Sequence, residues 1–377
     1  MKILMATMSM GIGGAETHIL ELSKELKRRG NEIWVVSNGG KYNEELEANG
    51  IHTVWAPLHN KKPSNMLKSK KILKDLINKE NIDLVHSHTR ISSFILGILQ
   101  KKLKFPYVTS AHWTFKVTPL LKLMTNWGEG TIAVSEDIKE YLKDNYKVSE
   151  DQIIVTVNGI DTEKFSKNTD YSDIEKEFSL EKGSNRIVYI SRLDESRALV
   201  AKQLVAIAED LNKKIENLEI VIVGGGDSFE EIKTKVEEIN EKLKRQLIIL
   251  TGPRTDINKF AAMGKIFIGV SRAALEAMAS EMPVIVAGNE GYIGIFDDSK
   301  LEKGIETNFC CRNLSMPNEE KLEEDILELM NKSSEDLENQ GKYNREIVKK
   351  YYSVSKMTDD CEKMYKKVLE MHKKAKK

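Results

Sequence analysis

The sequence predicts an α/β protein with two doubly wound parallel sheets, one in each half of the chain. Short β-branched runs alternate with amphipathic helical stretches through the first 160 residues, and the same alternation restarts near residue 185. This alternation favours parallel sheets, because a crossover must carry the chain back before each new parallel strand begins. The length of 377 residues also exceeds one ordinary core and suits two domains.

Seven strands are predicted in the first half from their β-branched content and the turn residues around them. Their ranges are Lys2–Thr7, Glu32–Ser37, His52–Ala56, Asp83–Ser87, Tyr107–Ser110, Gly130–Val134 and Ile153–Val157. The clearest helix of this half is Glu16–Arg29. In it Ile19, Leu22 and Leu26 recur at helical spacing, and Gly30 marks its end.

The second half repeats the pattern with six predicted strands and three clear helices. The strands are Arg186–Ser191, Leu218–Val223, Gln246–Thr251, Ile266–Val270, Pro283–Ala287 and Thr307–Cys311. The helices are Ala198–Asn212, Ser228–Leu243 and Ala273–Ser280. A strongly charged helical segment from about Glu335 ends the chain.

The polar, charged stretch Lys164–Asn185 separates the two halves and is predicted to be the linker. The predicted domains are therefore 1–167 and 168–345, followed by a C-terminal helix at 346–377. Two α/β halves joined in this way are expected to form a cleft. Ligands of open α/β sheets bind beyond the carboxyl ends of the strands, so we expect the site there.

Composition narrows the classes of function. Lys and Arg total 58, as do Asp and Glu, so the overall charge does not indicate a nucleic-acid partner. Residues 1–167 carry five more basic than acidic side chains, a small excess that could favour an anionic substrate or surface. The three cysteines lack zinc-site spacing, and no secretory leader or membrane-spanning run is evident. The cytoplasm is the expected compartment.

Two groups of residues in the first half could contact a ligand. Gly11, Gly13 and Gly14 follow a strand and open a helix, where backbone N–H groups attract anions. This pattern is neither a dinucleotide fingerprint nor a P-loop, so a turn without a ligand remains equally open. His86, His88 and His112 stand near strand ends, where imidazoles could bond sugar hydroxyls or phosphate. A structural role is open for each, and no carboxylate spacing supports a metal site.

Arginines follow the first strand of the second half. Arg192 and Arg197 lie on a strand-to-helix loop and could converge on one diphosphate, where guanidinium groups would neutralise a leaving group. The alternative is a surface salt-bridge cluster with Asp194 and Glu195.

Three further segments of this half could contact a ligand. Two are glycine-rich loops that follow strands, Gly224–Gly226 and Ala287–Gly294. The third is Glu276, which sits in an otherwise apolar helix and needs either a ligand or an ion pair with Arg272.

In their order and spacing, these segments together resemble glycosyltransferase family 4, retaining enzymes of GT-B architecture. The matching segments are GGAETHILELSKELKRRGNEI, DLVHSH, TIAVSEDIKEYL, VNGIDTEKF, ISRLDESR, IVIVGGGD, LTGPRTD and ALEAMASEMPVIV. The resemblance implies two Rossmann-like domains facing a cleft, with the final helix crossing back to the first domain. It also places Asn158 and Gly159 at the turn between domains.

The resemblance also implies roles for individual residues. Arg192 would hold the donor phosphates together with Arg197, and His112 would lie near the donor sugar, so these three are the predicted catalytic residues. Glu16 and His88 are predicted on the acceptor side. The predicted donor-binding residues are Gly13, Gly14, Gly225, Gly252, Arg254, Gly269, Arg272, Glu276, Glu290 and Gly291.

The chain departs from the family pattern at two positions. Arg197 replaces the usual lysine five residues after the donor-phosphate arginine, which keeps the charge and changes its shape. The first glutamate of the family's Glu-x7-Glu motif falls on Ile268, whereas Glu276 supplies the second. Ile268 cannot accept a hydrogen bond from a sugar.

The predicted function is retaining transfer of a sugar from UDP- or GDP-sugar to a hydroxyl acceptor. The acceptor would be a glycan, a glycolipid or a cell-envelope polymer precursor. No cofactor beyond the donor, no essential metal and no nucleic acid are expected. Two alternatives stay open: a GT-B epimerase or hydrolase of nucleotide sugars, and a non-catalytic protein that binds them, which Ile268 favours.

Membrane contact is a separate question. Residues Trp113–Trp127 mix aromatic, aliphatic and basic side chains, and Lys101, Lys102 and Lys104 lie close by in sequence. Such a surface could dock a lipid acceptor at the inner face of a membrane. The alternative is a cleft-side helix that packs on the sheet.

Overall fold

The computed structural model describes residues 1–375 and divides the chain into two compact units. The first unit comprises Met1–Gly159 together with the chain from Val354 onward, and the second comprises Ile160–Ser353. The predicted boundaries, 167 and 345, each lie eight residues from the observed ones. The last two residues of the predicted helix 346–377 lie outside the described residues.

The first unit contains a seven-stranded parallel sheet. Its strands are β1 (Lys2–Ala6), β2 (Glu32–Ser37), β3 (His52–Trp55), β4 (Leu84–Ser87), β5 (Tyr107–Ala111), β6 (Gly130–Ala133) and β7 (Ile153–Val155). They lie in the order β3-β2-β1-β4-β5-β6-β7, and each pairs in parallel with its neighbour. The order reverses between β1 and β4, so the connections after these two strands diverge and leave a crevice at their carboxyl ends.

Six helices and one 3₁₀ turn (Glu150–Gln152) connect these strands. The helices are α1 (Gly14–Arg28), α2 (Asn43–Ala48), α3 (Pro63–Glu80), α4 (Arg90–Leu103), α5 (Pro119–Leu123) and α6 (Glu136–Tyr146). Helix α1 buries Ile19, Leu22 and Leu26 against the sheet, as their spacing predicts. Gly30, with φ of 83°, follows its end.

The second unit contains a six-stranded sheet. Its strands are β8 (Asn185–Ile190), β9 (Leu218–Val223), β10 (Ile248–Leu250), β11 (Ile266–Gly269), β12 (Val284–Gly288) and β13 (Gly291–Ile295). The order is β10-β9-β8-β11-β12-β13, parallel except for β13, which pairs with β12 antiparallel. Here the order reverses between β8 and β11, which creates a second crevice.

Eight helices and a 3₁₀ turn (Asp298–Lys300) complete the second unit. They are α7 (Ser172–Glu177), α8 (Leu199–Lys214), α9 (Phe229–Leu243), α10 (Ile257–Ala262), α11 (Ser271–Ala279), α12 (Leu301–Glu306), α13 (Glu319–Met330) and α14 (Ser334–Tyr351). Two doubly wound α/β units are thus present, as the sequence predicts.

The predicted strand Thr307–Cys311 is wrong. Asn308, Phe309 and Cys311 adopt left-handed backbone angles, which no strand accommodates. The sixth strand is instead β13, within the segment predicted as a glycine-rich loop. Within this run Phe309 and Cys311 are fully buried and Cys310 is half-buried, and the Phe309 carbonyl accepts a hydrogen bond from the Ser271 amide at 2.7 Å.

The stretch predicted as a linker folds onto the second unit. It contains α7, and Ile174 is fully buried. Its Glu175 carboxylate lies 3.3 Å from the guanidinium of Arg186, which also pairs with Glu219 at 3.1 Å. The charges that suggested an exposed linker therefore belong partly to a buried ion-pair network.

The last helix, α15 (Val354–Ala375), belongs to the first unit and packs on α1 and on β5, β6 and β7. Arg29 at the end of α1 bonds Asp359 at 2.7 Å and Glu362 at 2.9 Å. Among residues 1–375, the structure holds no helix with the length and apolar character that a bilayer crossing requires.

Candidate active site

Several of the predicted site residues lie near the two crevices where the strand orders reverse. In the first unit, the loop after β1 leads into α1, and His86 and His88 lie at the end of β4. In the second unit, Arg192 follows β8, and Arg272 and Glu276 lie on the helix that follows β11. Such crevices are where open α/β sheets bind ligands.

The glycine-rich turn of the first unit leaves the N-terminus of α1 open. Gly13 is the extended residue before the helix, and a Cβ placed on Gly14 would meet no atom within 4 Å. Thr17 closes the first turn by donating from its hydroxyl to the Gly13 carbonyl at 2.8 Å. Glu16 is half-buried in this same turn. Backbone N–H groups and one carboxylate therefore share the mouth of the crevice.

His86 is a structural residue. Its side chain is fully buried, its Nδ1 lies 2.8 Å from the Tyr365 hydroxyl, and its Nε2 lies 2.8 Å from the Ser110 hydroxyl. Burial, and secondarily the proximity of His112, lowers its pKa to about 3. Both ring nitrogens are occupied, so His86 fixes α15 against the sheet and is not free to bind a ligand.

His88 and His112 form a neutral pair at the crevice. The Nδ1 of His88 lies 3.1 Å from the Nε2 of His112, and their rings stack. Burial lowers the pKa of His112 to about 4, and burial with the neighbouring histidines holds the pKa of His88 well below its usual value. The Nε2 of His88 is buried without a hydrogen-bond partner among residues 1–375. The pair is uncharged at neutral pH and retains hydrogen-bonding capacity.

His18 joins this pair from α1. Its ring centroid lies 4.8 Å from that of His112 and 6.1 Å from that of His88. One nitrogen from each of the three histidines falls within 4.8 Å of the others, an arrangement that could hold a transition metal such as Zn²⁺. The sequence-based choice of candidates missed His18. Its position four residues before Leu22, on the buried face of α1, is the signal that could have identified it.

Arg192 is exposed at the carboxyl end of β8, and within residues 1–375 its guanidinium forms no ion pair or hydrogen bond. Arg197, five residues later, faces Asp194, with 3.6 Å between the charged atoms. Each of the two alternatives predicted for these arginines therefore applies to one of them. Arg197 takes part in a local ion pair, whereas Arg192 is available to a ligand.

Two glycine loops interlock with the Arg192 loop. The Leu193 amide donates to the Gly225 carbonyl at 3.0 Å, and the Gly224 amide donates to the Gly252 carbonyl at 3.0 Å. Gly226 has φ of 157°, and a Cβ there would collide with the backbone of residues 193 and 194. The backbone after β8 is thus held in place by the loops after β9 and β10.

The connection from β11 to α11 contains a single residue, Val270. Ile268 is a fully buried strand residue that pairs with Tyr189 and Ile285, and Gly269 ends the strand. Both positions fall within the predicted strand Ile266–Val270, which the structure confirms as β11. The Ile268 side chain belongs to the hydrophobic core of the second unit.

Arg272 and Glu276 form an ion pair on the first turns of α11. The Arg272 Nε lies 2.8 Å from the Glu276 carboxylate, and the side chains are 14% and 10% exposed. The pair explains how Glu276 sits in an otherwise apolar helix. Ser271, in a left-handed conformation with φ of 53°, places the start of this helix beside the crevice.

The remaining predicted donor residues have structural partners. Arg254 bonds Glu177 at 2.6 Å and Asp256 at 2.8 Å, and these partners hold its pKa above the usual range. Glu290 pairs with Arg312 at 3.2 Å, and Gly291 begins β13. The side chain of Arg254 is therefore engaged within the fold, whereas Gly252 lies in open space.

Two crevices at strand-order reversals, one with histidines and one with arginines and glycine loops, define an α/β ligand-binding protein of two units. The sequence profile of Glycosyltransferase Family 4 matches residues 12–164, and that of Glycosyl transferases group 1 matches residues 170–347. The chain belongs to this family of glycosyltransferases.

Relatives and solved structures agree with this assignment. An uncharacterized glycosyltransferase of Methanocaldococcus jannaschii is 27% identical over 365 residues, covering 93% of this chain and 94% of its own length. The crystal structure of a glycosyltransferase from Rickettsia africae superposes with a TM-score of 0.78 at 23% identity, over 97% and 98% of the two chains. Anabaena HepE, solved with UDP-glucose, gives a TM-score of 0.73 at 16% identity, over 97% and 100%.

Proposed function

We propose that this glycosyltransferase transfers a sugar from a UDP- or GDP-sugar to a hydroxyl acceptor with retention at the anomeric carbon. The position of Arg192 is the observation that best supports this proposal. Arg192 is exposed at the carboxyl end of β8 and has no partner among residues 1–375, which suits a diphosphate because a guanidinium binds phosphate oxygens in bidentate fashion. UDP is the first nucleotide to test, since HepE was solved with UDP-glucose.

The proposed role of Arg192 is to neutralise the charge that develops on the departing diphosphate. The loop that carries it is fixed by Gly225, Gly226 and Gly252, so the guanidinium needs little reorganisation when the sugar–phosphate bond breaks. Arg197 would add charge once a ligand competes with Asp194. The N-terminus of α11 would contribute helix N–H groups to the same phosphates.

Glu276 is proposed to accept hydrogen bonds from the donor ribose, held in place by Arg272. The 2.8 Å ion pair keeps the carboxylate charged and limits its rotation. In the first unit, His112 and His88 are proposed to bond hydroxyls of the donor sugar and the acceptor, as neutral imidazoles that can both donate and accept. Glu16 and the glycine turn at Gly13 and Gly14 would complete the acceptor side.

The first experiment measures thermal stabilisation by UDP, GDP, ADP and their common sugar conjugates, without added metal. Ligand at a hundred times its Kd stabilises the folded unit by about 2.7 kcal/mol, which shifts the melting temperature by several degrees. We expect one of the three nucleotides to give this shift. We also expect the protein to release that nucleoside diphosphate slowly from its sugar conjugate. If no nucleotide shifts the melting temperature, the proposed donor is wrong.

Stereochemistry is tested once an acceptor is found. Proton NMR of the first-formed product, recorded before mutarotation or a second transfer, reports the anomeric configuration directly. We expect the configuration of the donor to be kept. An inverted product would contradict retention while leaving sugar transfer intact.

A binding protein without turnover is the second candidate, favoured by the absence of a motif glutamate from the β11–α11 connection. It predicts the same thermal shift with no diphosphate release, with or without acceptor. An epimerase or hydrolase would instead produce an epimer or free sugar in the absence of acceptor. Chromatography of the sugar products separates the three outcomes.

A further inference from the structure

The segment around α5 exposes apolar side chains that a packed helix would bury. Residues 113–127 form only one short helix, and α5 buries none of its five residues. Leu123 is 82% exposed and Leu120 is 66% exposed, while Trp113 and Phe115 just before them are also exposed. The alternative of a cleft-side helix packed on the sheet is therefore wrong, because α5 buries no residue. Large exposed apolar groups in one segment indicate a contact surface.

The start of α3 extends the same surface. Leu67 is 68% exposed, and Trp55 is 52% exposed with the Lys68 ammonium 4.8 Å from its ring centroid. The two segments meet across the start of α4, where the Arg90 guanidinium lies 4.5 Å from the ring of Phe115. We call the exposed side chains of residues 55–68 and 113–123, together with Arg90, the α3–α5 face.

A small open groove, with a cavity volume of about 20 Å³, lies in this face. Met66, Ile91, Phe94, Leu121 and Met124 give it an apolar lining, and Lys61 and Arg90 stand at the same groove. One terminal nitrogen of Arg90, Nη1, is buried without a hydrogen-bond partner in the described part of the chain. A buried guanidinium nitrogen needs an acceptor, and an anion entering the groove would supply one.

The charge around the face has one sign. Residues 48–74 contain six lysines and no carboxylate, and residues 84–128 contain five lysines and Arg90 and again no carboxylate. The cations of the face itself are Lys61, Lys62, Lys68, Arg90, Lys116 and Lys122. Across residues 1–375 none of these six forms an ion pair. Elsewhere in the first unit, by contrast, Lys24, Arg29, Lys139 and Lys143 all pair with carboxylates.

We propose that the α3–α5 face docks on the surface of an anionic membrane, with the phosphate of a lipid headgroup at Arg90. Aromatic and leucine side chains beside lysines match the boundary between headgroups and acyl chains. The lysines match the negative potential of such a surface. A second copy of this chain would bring the same cations together, and the repulsion disfavours self-association through this face.

The docking does not depend on the proposed donor, so it is tested without any nucleotide. The full chain is sedimented with vesicles of 70% phosphatidylcholine and 30% phosphatidylglycerol, and with vesicles of phosphatidylcholine alone. We expect binding to the anionic vesicles to be at least tenfold tighter and to weaken as salt is raised from 0.1 to 0.5 M. Equal binding to both vesicles, or none, would overturn the proposal.

Three variants locate the contact. Replacing Lys116 and Lys122 by Glu should weaken binding roughly 30-fold or more. Each lysine near an anionic surface raises the membrane affinity about fivefold, and each glutamate adds repulsion. Leu120→Ser with Leu123→Ser should weaken it at least tenfold by removing apolar burial. Arg90→Gln should weaken it about fivefold. Circular dichroism and thermal melts check that each variant folds.

Matched controls use exposed residues that are not part of the α3–α5 face. Lys366→Glu with Lys373→Glu changes the same charge on α15, and Ile305→Ser with Met316→Ser removes exposed apolar groups of the second unit. These controls should bind as wild type. If the face variants also bind as wild type, the contact lies elsewhere. If sedimentation analysis shows a dimer that the leucine variant dissolves, the face joins two copies, and the membrane proposal is wrong.

Discussion

The two crevices occupy the same topological position in their sheets but differ in charge. Between β1 and β4, the side chains are histidines that burial keeps neutral. Between β8 and β11, they are arginines, of which Arg192 is exposed and has no partner within residues 1–375. A neutral imidazole suits a hydroxyl, and a guanidinium suits a phosphate. The same fold therefore offers two different chemistries, and the side chains at the strand ends decide which.

The largest expected effect tests the charged crevice. Arg192→Ala should lower kcat by about 10³-fold, since removing one preorganised group that stabilises transition-state charge costs roughly 3–4 kcal/mol. Arg192→Lys should recover part of the rate, because it restores charge without the planar fork. The assay is nucleoside diphosphate release at saturating donor. Lys233→Ala, a similarly exposed cation on α9, serves as control, and an unaffected rate in Arg192→Ala would refute the assignment.

The next effect tests the neutral crevice through pH. Unfolded histidines titrate near pH 6.5, whereas His86 and His112 titrate near 3 and 4 in the fold, with His88 also lowered. The unfolded chain therefore binds more protons below pH 6.5, and stability must fall as pH falls from there towards 4. Each of the three histidines should lower the free energy of unfolding by about 1 kcal/mol as the pH falls from 6.5 to 5.5. Urea unfolding of the first unit at several pH values measures this.

One variant and one control sharpen the pH experiment. His112→Asn should remove about one third of the slope between pH 6.5 and 5.5, because one titrating group is lost. His59→Gln replaces an exposed histidine outside the crevice and serves as the control. A wild-type unfolding free energy that stays flat across this range would contradict the burial of neutral imidazoles.

A smaller effect tests whether Glu276 on α11 binds the donor or only pairs with Arg272. Glu276→Gln should raise the donor KM about tenfold and lower stability by roughly 1–3 kcal/mol, because it removes the negative charge that pairs with the partly buried Arg272. The double variant Arg272→Met with Glu276→Gln should regain most of that stability but not the KM. If the double variant restores both, Glu276 only balances Arg272 and does not contact the donor.

The smallest expected effect is that of a chelator. We expect EDTA to leave turnover unchanged, since the proposed leaving-group stabilisation uses arginine and helix N–H groups instead of a divalent cation. The three nearby nitrogens of His18, His88 and His112 make the test necessary. Loss of turnover on chelation, restored by Zn²⁺ in wild type but not in His18→Asn, would show that these histidines hold a required metal.

Sequence patterns predicted the regular elements well where local preferences and burial agree. The five predicted strands from Arg186 to Ala287 and the seven of the first half coincide with observed strands to within one or two residues at most ends. The failure at Thr307–Cys311 has a specific cause. An apolar run with a β-branched start can also be buried as a turn, and left-handed angles at Asn308 and Phe309 cannot be read from such a run.

Site residues were harder to predict than strands because their availability depends on partners distant in sequence. Arg192 and Arg254 look alike in sequence, yet Glu177 and Asp256 occupy Arg254 and nothing in residues 1–375 occupies Arg192. His86 and His88 also look alike, yet Tyr365, 279 residues away, makes His86 structural. No local pattern distinguishes the members of either pair.

By itself, the sequence determined the α/β class, the division into two similar halves and the strand ends where polar residues collect. Periodicity and turn residues carry that information because they act over a few residues. Only the tertiary structure decided which cations stay unpaired, which histidines are neutral and that Thr307–Cys311 is not a strand. Those properties depend on burial and on partners brought together by folding, and neither is encoded at a single position.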